Sequence, residues 1–597
     1  MAHDRAELLL PGPVTAGSWG SWLVAVHLGA LLREGDAVSI HHRWPCDWVR
    51  PQLSDPAGPH FASAKAPGAV LTMVVDESVE WHPWDHRLLV RVVAGAVQAG
   101  ESVVITFGDQ SAGSPGTRAQ TFIEERCEFH VRVCRDGIFN ELSEQPWLQV
   151  IGGPIARLVV VAPSDVTADQ PFTISVRAED DWGNPAQGYF GRIKLAFSSQ
   201  AGDEHETNLA FSSPGRAVAQ TAVTLDRPGE YWFQASDVEG DLRATSNPAV
   251  CHPVAPATAR FWGDLHGQST IGCGARTIRD YFLHARDFAR MDFASHQGND
   301  FMVSNAEWEE TQHVTRELHD PGHFVTFLGY EWSGDPGVGG DRNMFFLADE
   351  HPIRRSSHKL VDDKSDVDTD LSPVDAVFKG FRGTETLMQP HVGGRTADLT
   401  FHAPELEPII EIHSDHATSE WFFEEALRRG YKVGLTGGSD GVMGRPGASY
   451  PGGVFVRNVQ GGLVSVLAPK LERRAIWDAL FAHRCYATSG ERILLDVSVD
   501  GHPMGSEYEG TGDPTIEVAV LGTAGIERLE LYRSLDLIHV SEPDEYSHRP
   551  AERVRVTWSG AREPGNARRA RLSWDGDLTL DRGRIRRSEG WGFQTPA

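Results

Sequence analysis

Apolar and polar positions along this chain change rhythm twice. From Val14 to Ile151, short runs such as Ala37-Val-Ser-Ile-His-His42 and Ser102-Val-Val-Ile-Thr-Phe107 are separated by Gly, Pro and Asp turns. That rhythm predicts an all-β domain over residues 1–154. Residues 155–254 keep it at regular spacing, with Phe172-Thr-Ile-Ser-Val176, Ile193-Lys-Leu-Ala-Phe197 and Gly229-Glu-Tyr-Trp-Phe233, the pattern of an immunoglobulin-like sandwich.

After Pro256 the period switches. Ile278, Tyr281, Phe282, Ala285 and Phe288 fall at helical spacing, and residues 292–296 resume a strand. Helical periodicity recurs over 308–318, 373–381, 420–429 and 473–483, with strands closing on Glu331, His391, His413 and Asp440 between. Alternation this dense predicts an α/β fold, a (β/α) barrel over residues 255–490, with its chemistry where strands end and loops begin. The polar stretch 335–370 reads as a lid. Residues 491–597 return to β through Leu495-Asp-Val-Ser-Val499 and Arg528-Leu-Glu-Leu-Tyr532, with a loosely ordered tail from Arg582.

The strand ends carry the candidate chemistry. In Phe261-Trp-Gly-Asp-Leu-His-Gly-Gln268, spacing by two sets Asp264, His266 and Gln268 on one face of a strand end. His296, Glu331, His391, His413 and Asp440 close further apolar runs. Imidazoles and carboxylates together suit zinc, manganese or iron. Such ions acidify bound water and clamp charge developing on phosphoryl or acyl oxygens, so metal-assisted hydrolysis is the leading chemistry. Arg342, Arg395 and Arg445 sit in or beside Gly-rich loops, where guanidinium groups either grip an anionic substrate or pair with the many carboxylates.

Composition narrows the classes. A net charge of −28 argues against sequence-independent nucleic-acid binding, which needs clustered Lys and Arg. The six cysteines are scattered without a CxxC pair, which argues against a zinc ribbon or disulfide scaffold. Residues 1–20 lack the apolar core of a signal peptide, and the apolar segment 22–32 is broken by His27 and too short for a bilayer. A cytoplasmic protein is expected, acting on a small anionic molecule, with no nucleic-acid or membrane partner; homo-oligomer formation stays open. Trp44, Trp48, Trp81, Trp84 and Trp147 read as β-domain core rather than a ligand groove.

Gly263-Asp-Leu-His-Gly-Gln-Ser-Thr270 resembles the first motif of the polymerase-and-histidinol-phosphatase (PHP) superfamily. Gly329-Tyr-Glu-Trp332, Arg342-Asn-Met-Phe-Phe346, Pro390-His391, Glu411-Ile-His413, Gly438-Ser-Asp440, Arg445-Pro-Gly447 and Tyr486-Ala-Thr-Ser-Gly490 are similar to the bacterial domain-of-unknown-function family 3604 (DUF3604). The resemblance implies a distorted (β/α)7 PHP-like barrel with additional β-domains and a cluster of one to three divalent ions, Zn, Mn or Fe. It implies His266, His296, Glu331, His391 and Asp440 as metal ligands. His413, Arg342, Arg395 and Asp264 are candidate catalytic groups, with Asp264 in an orienting role; His413 and His416 are each open as a ligand, a general acid or a group that orients a ligand. Arg445, Gln268 and Asn343 are candidate substrate contacts.

Four positions depart from the superfamily pattern: Gln268 for a second His, Ser295 for an Asp, Cys273 for an acidic residue and Val442 for a His. They favour a mononuclear or dinuclear centre over a trinuclear one. Three readings follow: a phosphoesterase-like hydrolase; a metal-dependent hydrolase or lyase acting on C–O, C–N or C–C bonds of a small carboxylate or aromatic compound; and a binding protein with a decayed site.

Overall fold

The computed structural model describes residues 3–9, 12–76, 83–198, 204–211, 217–451, 460–543 and 577–585. The first two segments are built from strands, as their alternation predicts. In the N-terminal domain, Arg5–Leu8, Trp22–His27, Ser102–Phe107 and Ala62–Lys65 form one sheet, and Ala37–Arg43 lies between His130–Arg135 and Trp84–Val97 in another. Trp22, Val26, Trp48, Ile105 and Phe129 fill the core between them. Trp48 is core, as expected, but Trp147 is exposed, and Trp81 lies outside the described residues. Residues 155–254 form an all-β unit with its own core around Ile174, Val176, Leu195 and Phe233. The expected tail is described only as far as residue 585.

The central segment departs from the expected barrel. Its strands are β1 (Ala259–Asp264), β2 (Phe293–Ser295), β3 (Val325–Trp332), β4 (Arg342–Phe346), β5 (Thr386–Pro390), β6 (Ile409–Ser414), β7 (Gly434–Gly437), β8 (Leu463–Ala468) and β9 (Cys485–Thr488). Seven of them make one mixed sheet in the order β5-β4-β3-β2-β1-β8-β9, while β6 and β7 pair in a separate three-stranded sheet with the short strand Ala417–Thr418. Only β1, β2 and β3 run parallel as neighbours in the large sheet; β4, β5, β8 and β9 each pair antiparallel. The chain as a whole is mainly β, and its large sheet is a half-barrel rather than a (β/α)7 ring.

The helices fall where the periodicity put them: α1 (Ile278–Leu283), α2 (Asn305–Glu317), α3 (Val374–Phe381), α4 (Glu420–Arg428) and α5 (Arg473–Phe481). At α2, Ser304 and Glu307 form a reciprocal capping box that satisfies the first amides. Apolar residues of these helices, among them Tyr281, Trp308, Val377 and Phe381, cover the sheet.

The lid reading needs correction. Within 335–370, residues Arg342–Phe346 form the fully buried strand β4, because Gly339 and Gly340, at φ 134° and 75°, turn the chain back along β3. The loop that follows is pinned: buried Arg355 donates to Val303 O at 2.9 Å and to Asn305 Oδ1 at 2.7 Å.

Candidate metal centre

Three strand ends converge. β1 delivers His266 two residues beyond Asp264, β3 carries Glu331 at its penultimate position, and β5 runs directly into His391. One ligand atom from each of these three buried residues lies within 4.8 Å of the others. Asp415, His416 and Asp440 make a second such group under the same 4.8 Å limit. The groups are continuous: His266 Nε2 lies 3.3 Å from Asp440 Oδ1, and His416 Nε2 lies 3.0 Å from Asp440 Oδ2. Asp440 is held at φ 47° by its own amide, which donates to His266 O at 2.8 Å; Asp tolerates this region better than most residues.

His391 provides the sharpest test of fit. Neither of its ring nitrogens finds a hydrogen-bond partner among the described residues, although the side chain is fully buried 4.4 Å, centroid to centroid, from His266. Burial, reinforced by His266, drives its pKa down to about 3, so the ring is neutral. A buried neutral imidazole without partners is costly unless a cation takes up its lone pair. The donor set of two imidazoles and two carboxylates suits Zn, Mn or Fe.

Neighbouring groups orient these donors. Glu411 places its carboxylate oxygens 3.0 and 3.2 Å from His266 Nδ1, fixing the tautomer that leaves Nε2 facing Asp440 and Glu331. Burial lifts Glu411 to about 7. Glu331 accepts from Gln268 Nε2 and Asn299 Nδ2, both at 2.9 Å, and from Ser333 Oγ at 3.1 Å. Burial raises its pKa, but the His266 imidazole, 3.8 Å away, outweighs that and leaves it below its ordinary value.

Other candidates are placed elsewhere. His296 accepts from the Ser269 amide at 3.1 Å and packs edge-on against Tyr281, outside both ligand groups. His413 is occupied by Thr418 Oγ1 at 2.7 Å and Gln460 O at 2.9 Å. Asp264 accepts from the amides of Ser439 and Gly447, each at 2.9 Å, so it anchors loops rather than a ring. Arg342 is fully buried against Glu407 at 2.7 Å, and Arg445 spends its donors on Trp182 O, Ser449 O and Pro451 O; neither is placed to meet a substrate. Asn343 donates to Gln389 Oε1 inside the sheet.

Arg395 is different. Its half-buried guanidinium lies 3.5 Å from Asp341 Oδ1 and 4.7 Å from the Phe301 ring centroid. Burial lowers its pKa, but the charges of Asp341, Glu331 and Asp300 more than offset this. It is a cation at the margin of the centre.

Glu411 and Asp415 were missed by sequence reasoning, and His416 was left open. The signal for Glu411 was present, an acid inside the apolar run Ile409–Ser414. However, the register of β6 against β7 shifts between Glu411 and His413, so the two do not share a face as strict alternation would have it.

Residues 255–424 match the family model described as "Protein of unknown function (DUF3604)". Over that segment the chain is similar to the DUF3604 family. Its sheet carries His266, Glu331 and His391, while Asp440 lies beyond the matched stretch. The chain is 23% identical to an "Uncharacterized protein" of Chlamydia trachomatis over 582 residues, 89% of this chain and 90% of that one. A Chlamydia muridarum protein is 24% identical over 583 residues, with the same 89% and 90% coverage. Among solved structures, the C-terminal domain of the Streptococcus agalactiae AgI/II polypeptide BspA matches at 10% identity, over 42% of this chain and 99% of that one, with a TM-score of 0.20. A superoxide reductase of Ignicoccus hospitalis matches at 20% identity, over 17% of this chain and 82% of that one, with a TM-score of 0.14. At scores this low, neither bears on the fold or activity of this chain.

Proposed function

We propose that this chain is a metal-dependent hydrolase, phosphoesterase-like, acting on a small anionic substrate. The observation that supports this most strongly is His391, buried with two unpartnered ring nitrogens beside His266 and Glu331. A divalent ion held by His266, Glu331, His391 and Asp440 would supply Lewis acidity and a lowered pKa for water. The chain's own residues do the rest. Glu411 holds His266 in one tautomer, Gln268 and Asn299 fix the Glu331 carboxylate, and Arg395 draws the anionic group to the margin and neutralises its charge. His416, a quarter exposed and 3.0 Å from Asp440, is the group best placed to exchange a proton with a leaving oxygen.

Elemental analysis of the purified protein, paired with a panel of phosphate monoesters and diesters, tests this reading. Bound Zn, Mn or Fe and ester turnover, both lost in His391→Ala, are expected. Full metal content in His391→Ala, or turnover that survives metal removal, would overturn it. Metal-dependent turnover of carboxylate or aromatic substrates alone would instead favour the second reading, cleavage of C–O, C–N or C–C bonds.

A further inference from the structure

The N-terminal β-domain reaches the candidate centre through Arg43, the last residue of the strand Ala37–Arg43. Arg43 Nε donates to Gly274 O at 2.7 Å, and Nη2 donates to Thr270 O at 2.8 Å and Gly272 O at 3.0 Å. Among the described residues, the side-chain hydrogen bonds of Arg43 all go to carbonyls of one loop. A planar fork of donors holds several carbonyls in a fixed relation, which a point charge does not.

That loop is the seat of Gln268. It closes through Thr270 N to Arg276 O at 2.8 Å and joins the loop after Asp440 through Ala275 N to Val442 O at 2.8 Å. Phe122 of the N-terminal domain packs on Ala275, Val442 and Met443 at the same junction. The fit to Gln268 is close: a Cβ at Gly272 would lie 2.7 Å from Gln268 Oε1, and one at Gly274 would lie 2.6 Å from its carbonyl carbon. Gln268 Nε2 in turn donates to Glu331 Oε2 at 2.9 Å.

We infer that Arg43, from a domain outside the central sheet, is a positioning residue for the metal centre: it sets the 270–274 loop, the loop sets Gln268, and Gln268 sets the Glu331 carboxylate. The inference rests on the metal-centre reading above. It makes a complete centre depend on the docked N-terminal domain, not on the central segment alone.

The test is Co2+ binding to full-length protein, read by competition affinity and visible absorption, for the wild type, Arg43→Ala and Arg135→Ala. Arg135 lies in the same domain but bonds Asp4, Ala30 and Leu31, away from the loop, so it controls for general loosening of that domain. Arg43→Ala is expected to weaken Co2+ about tenfold or more, as loss of an outer-shell partner does, and to change the absorption spectrum. Added guanidinium ion should restore part of the affinity, and Arg135→Ala should bind as the wild type does. Wild-type affinity and spectrum in Arg43→Ala, or equal loss in Arg135→Ala, would overturn the role of Arg43 while leaving the metal centre standing. A wild-type protein that takes up no Co2+ would remove the metal-centre reading, and this inference with it.

Discussion

Replacing Glu411 by Gln should make the metal-free protein more stable and the metal-loaded protein worse at its task. Glu411 is buried with its carboxylate against His266 Nδ1 at 3.0 Å, and Gly438 packs so closely that a Cβ there would lie 2.4 Å from Glu411 Oε2. Glutamine fills the same volume and keeps an oxygen for the Nδ1 proton. Burial lifts the carboxyl from 4.5 to about 7, so below pH 4.5 its contribution is fully present, and it is lost as pH rises through about 7. At about 1.4 kcal/mol per unit, keeping this group ionised at pH 8 costs the folded state up to about 3 kcal/mol. His266 is not left without an anionic neighbour, because Asp440 stays 3.3 Å from its Nε2. The expected outcome is a higher thermal midpoint for apo Glu411→Gln at pH 8, a gap that closes at pH 4.5, and metal affinity reduced about 10- to 100-fold. Differential scanning calorimetry of the chelated protein and a competition titration measure both. A lower apo midpoint at pH 8, or unchanged metal affinity, would refute the reasoning.

Three further outcomes are expected. His391→Ala should lose more metal affinity than Glu411→Gln while keeping its far-ultraviolet circular dichroism, because no hydrogen bond among the described residues depends on that ring. Arg342→Ala breaks a fully buried ion pair with Glu407 and should cost about 3–5 kcal/mol in unfolding, whereas Arg395→Ala should lower turnover of an anionic substrate with little change in thermal midpoint. Burial, with Arg276 and Arg445 beside it, holds the His284 pKa well below 6.5, so stability should fall as pH drops below that value; His284→Gln should flatten part of this slope in melts between pH 7 and pH 5.

The convergence of His266, Glu331 and His391 was legible because each stands where an apolar strand run stops, a position that hydropathy marks directly. Segment type was equally legible: α2 announces itself through Ser304 and Glu307, and α5 through its apolar spacing. Strand direction was not. Nothing in the local pattern of Arg342–Phe346, or of Leu463–Ala468 and Cys485–Thr488, says that these strands run against their neighbours, and that reversal is what replaces a ring of parallel units by a half-barrel. Arginine roles were opaque for a related reason. A guanidinium beside glycines reads alike whether it meets a carboxylate, as Arg395 does at Asp341, or backbone carbonyls, as Arg445 does.

The register shift in Ile409–Ser414 has a wider meaning. Because one extra residue separates the acid that braces His266 from the imidazole two places on, the identity of the group facing the centre is set by chain length at Ile412 as much as by side-chain chemistry. An insertion or deletion at this point, ordinarily the mark of a tolerant loop, would here exchange a carboxyl for an imidazole without changing either residue. Alignments of related chains that slide a gap through this strand would therefore be comparing different chemistries under one column.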